Sequence, residues 1–369
     1  METAFSVRVV SWLFIFLLSV TLALLSFEVI YRYQLIDTFS GEMRANNPAE
    51  VLEPNNNEAQ KTLLVMGDSF TAHPASFAAM LRACQGTFSV INAGISGTGV
   101  IEAVFTAPER FQSAKPSIFI YQVFVGNDLY NIRYPINWSS ISPVRNLYWI
   151  LAENLRSIWY VNYRSGQFAQ FLGQSDTGTK DLTAFWRSAK FESAHRVGEE
   201  DAAERFSPEK YTLRDKLMLQ ADPRILDKQI RVTDDRQTDF QYFLNKLDEL
   251  FSNCVAGQCR GYVLVIPHQV QLTSNYYENM VALGARFAGM QEILSDDYPF
   301  LVKVRDFLAQ ERFKHIEVLD PLPALRHSEL EGKPVYYQND SHLNHQGDRT
   351  LTRFLLENLD LNPKCSFLR

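Results

Sequence analysis

Four short polar blocks carry the chemistry that this chain is equipped to do. The first is "LLVMGDSFTA" (63–72), an apolar run that stops on Gly67, Asp68 and Ser69. A serine hydroxyl is a weak nucleophile until a base takes its proton. His342, in "NDSHLNHQG" (339–347), is such a base, and Asp340, two residues before it, is placed to hold the imidazole in the tautomer that accepts that proton. Attack on an ester carbonyl builds an oxyanion, which needs preorganised donors. Three are on offer: the backbone N–H of Ser69, the backbone N–H of Gly97 in "NAGISGTG" (92–99), and the side-chain amide of Asn127 in "GND" (126–128). Gly97 has no side chain to hold a substrate oxygen away from its N–H. Together these residues could transfer an acyl group through an ester on Ser69, with no metal and no cofactor.

Each candidate also has a plainer reading. A serine after an aspartate can simply cap a helix. Asp68 is expected to brace the turn, and Asp128 to make local hydrogen bonds that fix Asn127. His345 reads as solvated on the first turn of the last helix, His268 as a hydrogen-bonded loop residue, and His73 as a residue at the entrance. The glycines of "GISGTG" lack the Lys and Ser/Thr spacing of a phosphate loop. The Tyr and Trp residues between 130 and 163 read as packing or membrane-proximal contacts, with a sugar- or acyl-binding wall as the alternative.

Blocks so far apart need a scaffold that brings them together. Apolar runs of strand length at 62–67, 88–94, 117–126, 261–267 and 316–321 alternate with helical patterns near 75–84, 99–113, 234–253, 277–295, 299–312 and 346–359. Strands that are apolar on both faces suit a parallel sheet covered by helices, so the fold class is α/β, doubly wound. In such sheets ligands bind beyond the carboxyl ends of the strands, where Ser69, Gly97 and Asn127 would fall. Residues from about 129 to 231 break the alternation without a strand set of their own. They read as an insertion at the sheet rim.

The ordered blocks "GDSF" (67–70), "NAGISG" (92–97), "GND" (126–128) and "DSHLN" (340–344) resemble those of the SGNH, or GDSL-like, hydrolase superfamily. The letters of that name are matched by Ser69, Gly97, Asn127 and His342. The resemblance covers roughly residues 61–360 and implies a three-layer α/β/α, flavodoxin-like fold with metal-free ester chemistry. One departure matters: the family usually places its aspartate three residues before the histidine, and here that position is Asn339. The D-x-H block is similar to that of membrane-associated, SGNH-like O-acetyltransferases of the alginate type. Three functions follow as expectations. The first is a serine esterase or deacylase acting on an O-acylated envelope carbohydrate or lipid. The second is an O-acetyltransferase modifying an exported polysaccharide, and the third a non-enzymatic binding subunit on the same fold.

The N-terminus sets the location. Val9 to Phe27 carries no charge, and 19 residues at about 1.5 Å each nearly match a hydrocarbon core of about 30 Å. A membrane anchor is expected over 9–30 after a short tail (1–8), with a cleaved signal peptide or a buried helix as the alternatives. A tether follows (31–60), rich in Asn, Pro and Glu over 41–60, then a catalytic body (61–360) and a C-terminal tail (361–369). Cysteines stand at 84, 254, 259 and 365, and Cys254 with Cys259 could form a local disulfide or remain two thiols. A disulfide would place the body outside the cytoplasm. Of the two Asn-x-Ser sequons, at Asn137 and Asn339, the second lies beside the catalytic block, where a glycan would obstruct it. The expected setting is therefore a bacterial inner membrane, single-pass, with the body in the periplasm. A net charge of −6 with interspersed signs offers no stripe to neutralise phosphates, so nucleic acid is not an expected partner.

Overall fold

The computed structural model describes residues 2–47, 61–73, 75–84, 88–133, 136, 138–140, 143–165, 204–359, 361 and 365. Residues 48–60 of the expected tether, 166–203 of the expected insertion, Asn137 of the first sequon and most of the expected C-terminal tail lie outside these.

The sheet forms where the apolar runs predicted it. Five parallel strands, β1 (Lys61–Met66), β2 (Phe88–Asn92), β3 (Ile118–Phe124), β4 (Arg260–Ile266) and β5 (Ile316–Leu319), stand in the order β2-β1-β3-β4-β5. The register aligns Leu63 with both Val90 and Ile118, and Phe124 with Ile266. Leu63 to Met66, Phe119 to Phe124 and Tyr262 to Ile266 are all buried, so the inner strands form the floor of one core. An order that reverses between β1 and β3 puts a crevice at the carboxyl ends of those two strands.

The described helices are α1 (Glu2–Arg32), α2 (Ser40–Asn46), α3 (Ser69–Ala72), α4 (Phe77–Ala83), α5 (Val100–Ala114), α6 (Asp128–Ile132), α7 (Pro143–Asn154), α8 (Arg156–Ser165), α9 (Leu213–Ala221), α10 (Ile225–Arg231), α11 (Gln237–Phe251), α12 (Ser274–Ala282), α13 (Met290–Ile293), α14 (Pro299–Leu308), α15 (Leu322–Leu330) and α16 (His345–Asn358). Around the sheet, α5 packs on α11, and α16 packs on α4 and α15. The one helix expected over 277–295 is instead two, α12 and α13. Gly284 (φ +103°) turns the chain out of α12, with its N–H on Val281 O and the Ala285 N–H on Met280 O. That is the helix-ending geometry for which glycine is suited.

α1 contains a stretch, Val9–Arg32, that is long and apolar enough to cross a membrane. The chain after it, read as tether, is docked on the body as far as it is described. Arg110 grips both carboxylate oxygens of Asp37 at 3.0 and 2.9 Å. Asn47 clips the edge of β2, donating to Asn92 O at 2.7 Å and accepting from Asn92 N at 2.8 Å. Asn46 donates to Gly94 O. The Asn-rich composition read as solvated linker here supplies hydrogen bonds to a strand edge. Cys254 and Cys259 are joined, closing the loop into β4, and Cys84 is joined to Cys365, 281 residues away. No free cysteine remains among the described residues.

Candidate active site

β1 ends on Gly67, where the chain folds sharply into α3. A Cβ on Gly67 would stand 2.4 Å from Gln122 Oε1 and 2.6 Å from Thr71 Oγ1, so only glycine lets this turn close. Gln122, on β3, holds the turn by accepting from Asp68 N (3.1 Å) and Thr71 Oγ1 (3.0 Å). Asp68 caps α3 by accepting from Phe70 N at 3.0 Å. Ser69 is thereby fixed at the first position of the short helix, with its hydroxyl free to point into the crevice.

His342 reaches it from the far end of the chain. Ser69 Oγ lies 2.8 Å from His342 Nε2, and His342 Nδ1 lies 2.5 Å from Asp340 Oδ1. The same carboxylate oxygen accepts from the His342 backbone N–H at 2.9 Å, which orients acid and ring together. The loop is held at its base by a bridge between Tyr336 and Leu343, and by Asn344, which caps α16 by accepting from Gly347 N while donating to Pro334 O and Tyr336 O. Phe70 lies against the imidazole, with ring centroids 5.0 Å apart.

Asn339, the residue at the usual family position of the acid, is engaged elsewhere. It accepts from Ser207 N (2.8 Å) and donates to Arg205 O (3.1 Å), pinning the returning end of the insertion. Asp340 is the acid on the imidazole.

Three carboxylates shape the histidine's charge. Burial alone would push its pKa down, but Asp340, then Asp68 and Asp215, outweigh it and lift it from 6.5 to about 9. The imidazole still exposes 40 % of its side-chain surface, so protons can exchange with water. At neutral pH it is therefore an imidazolium whose Nε2–H donates to Ser69 Oγ, and the form that can accept the serine proton grows as pH rises.

Of the expected oxyanion donors, the Ser69 and Gly97 amides have no intramolecular acceptor among the described residues. Gly97 sits at φ +73° in a turn closed by Thr98 N on Ile95 O. A Cβ there would only touch the Tyr163 ring at 3.9 Å, so the need for glycine is conformational rather than steric. The Asn127 amide gives one Nδ2 hydrogen to Asp68 Oδ2 at 2.8 Å, and no acceptor among the described residues takes its second. Asp68, buried and raised in pKa by that burial against the pull of Asn127, Phe70 N–H, His342 and Gln122, orients this amide as well as capping α3.

Among the described residues, no other histidine bonds to the serine. His268 is buried, stacks on Phe124, accepts from Val270 N, and is pushed down to about 3 by desolvation, so it stays neutral. His73 accepts from Ala75 N and is lowered by burial, then by the His342 charge. His345 is exposed. Asp128 accepts from Phe124 N at 2.6 Å, holding the start of α6.

Sequence reasoning missed Gln122, Asp215 and Tyr211. Tyr211 OH shares a hydrogen bond with Ser341 Oγ at 2.9 Å, and Ser341 Oγ also donates to Asp215 Oδ2, so the insertion's return buttresses the histidine loop. Gln122 could have been found as the one polar residue in the apolar run "IFIYQVF"; nothing in the sequence ties 211 or 215 to 341. Among the described residues no three His, Cys, Asp or Glu side chains gather as metal ligands would. No protein-family model matches the chain, and no curated protein matches it.

Proposed function

We propose that the protein is a membrane-anchored serine esterase of the SGNH type that removes O-acyl groups from an envelope carbohydrate or lipid. The observation that carries this reading is the chain of contacts from Ser69 Oγ through His342 to Asp340, at 2.8 and 2.5 Å. In the reaction, Ser69 Oγ bonds to the acyl carbon as Nε2 takes the serine proton. The C–O bond to the leaving alcohol then breaks, and the alcohol leaves with that proton. Water, deprotonated by the same nitrogen, bonds to the acyl carbon, and the C–O bond to Ser69 breaks as Nε2 returns that proton to Ser69 Oγ, releasing a carboxylic acid. The Ser69 and Gly97 amides and the free Asn127 N–H take the oxyanion in both steps. The strand order and the helices packed around the sheet suit the family's three-layer form.

A second reading has its own support. Asp340 stands in the D-x-H spacing of the O-acetyltransferases while Asn339 is occupied with the insertion. In that case a sugar hydroxyl takes the place of water in the second step, and the product is an acylated polysaccharide. Two disulfides beside an apolar N-terminal helix support a single-pass inner-membrane protein with its body in the periplasm. A chromogenic acetyl ester with and without an acceptor oligosaccharide separates the two reactions. Release of chromophore with free acetate indicates the esterase, and acetyl mass on the oligosaccharide the transferase. No release from any ester would leave a binding subunit as the reading.

A further inference from the structure

α7 is amphipathic in the reverse sense of a soluble surface helix. Its inner face, Tyr148 and Ala152, packs on Trp149, Ile158 and Trp159. Its outer face carries Val144, Leu147, Ile150 and Leu151, each between 43 and 56 % exposed. A helix facing water keeps polar groups there. Elsewhere on the body, exposed large apolar side chains such as Tyr242, Val255 and Leu330 are scattered along the chain.

The position of this face points to its occupant. The end of α7 is bonded to the end of α1: Arg32 Nη2 donates to Asn154 O at 3.1 Å. Glu28, the first charged residue after the apolar run, caps α8 by accepting from Arg156 N (3.1 Å) and Ser157 N (2.8 Å). The α7–α8 junction therefore lies level with the point where the apolar stretch of α1 ends. At that level Tyr33, Leu35 and Ile36 also turn outward, at 64 to 75 % exposure. Two separate segments thus present apolar side chains around the exit of one apolar helix.

We infer that the outward face of α7, together with Tyr33, Leu35 and Ile36, rests on the lipid surface of the membrane that α1 crosses. The inference rests on reading α1 as a membrane span and does not depend on the reaction at Ser69. Seven side chains, four of them on a helix about 18 Å long, are far fewer than the roughly 20–30 residues a side of a stable protein interface. Lipid contact has no such minimum, and an interfacial helix lies with its apolar face at the headgroup boundary. α8 runs from this level to Tyr163, beside Gly97, a rise of only about 10 Å. The Ser69 cleft is then held within two or three helical turns of the bilayer, within reach of a substrate carried on the membrane.

Because all four cysteines are in disulfides, one added cysteine gives a single labelling site. The full chain, reconstituted in phosphatidylcholine–phosphatidylglycerol nanodiscs, would carry a polarity-sensitive fluorophore at Leu147→Cys or Leu151→Cys. Leu17→Cys reports the span, and Glu311→Cys reports the exposed loop before β5, at the opposite edge of the sheet. Lipid bearing a shallow doxyl quencher should blue-shift and at least halve the emission at 147 and 151, leave 311 unchanged, and quench 17 more when the doxyl is placed deep. Emission at 147 and 151 like that at 311 would overturn the inference. So would emission that is blue-shifted but indifferent to doxyl lipid, since protein would then cover the face. An unquenched label at 17 would remove the span itself, and with it this inference, while leaving the ester chemistry untouched.

Discussion

At the scale of single residues, the site separates roles that mutation can test one by one. Asp340→Asn leaves the ring in place but with the wrong hydrogen bond, and kcat should fall by about 10⁴. Asn339→Ala, losing its bonds to Glu204, Arg205 and Ser207 but none to the imidazole, should retain most of kcat and lower stability instead; steady-state kinetics and thermal melting on both variants separate Asn339 from Asp340. Asn127→Ala should lose about 10² to 10³ in kcat, and Asp68→Asn should lose part of the same effect, because Asp68 orients that amide. In the proposed reaction, a histidine pKa of about 9 should make kcat/KM climb through the alkaline range rather than level off above the 6.5 of an ordinary imidazole. Replacing Asp340 by Asn should move that limb to lower pH. The raised pKa also means that folding is stabilised by the charged ring below about 6.5, and that this contribution is lost as pH rises through about 9. Urea unfolding of wild type and His342→Ala from pH 6 to 10 should show the difference between them shrinking as pH rises.

At the scale of elements, short motifs were legible and long-range supports were not. Ser69, Gly97 and Asn127 each follow an apolar run, so periodicity placed them at one sheet edge, while His342 was legible only from its polar block before the last helix. Asp340 was legible because it acts on a neighbour two residues away. Gln122, Tyr211 and Glu28 act across 51 to 130 residues, a distance at which sequence spacing says nothing about contact. The Cys84–Cys365 pair, 281 residues apart, was hidden for the same reason, while Cys254–Cys259 was one of two open alternatives. The Asn-rich stretch after α1 was misleading because composition cannot distinguish an asparagine that solvates a linker from one that clips a strand. Asn47→Ala should leave the Asn92 backbone groups unpaired at the buried edge of β2 and destabilise the body by about 1–3 kcal/mol, read from the urea midpoint at unchanged slope.

At the scale of the whole molecule, a parallel sheet collects loop tips from residues 69, 97, 127 and 342 at one edge, and the docked segment after α1 fixes that edge relative to the N-terminal helix. The long disulfide ties the C-terminal tail to α4, which packs on α16 just beyond the histidine. Cys84→Ser with Cys365→Ser should therefore cost about 2–4 kcal/mol, read as a lower melting temperature than that of the parent chain under non-reducing conditions. The claim on which function depends is that Ser69 is the group that takes the acyl or phosphonyl adduct, with His342 as its base. The most direct measurement is mass spectrometry of tryptic peptides after the full chain has reacted with a fluorophosphonate. The expected result is one adduct on peptide 62–82, assigned to Ser69, absent in Ser69→Ala and much slower to form in His342→Ala. An adduct on another residue, or equal labelling of the His342→Ala chain, would contradict it.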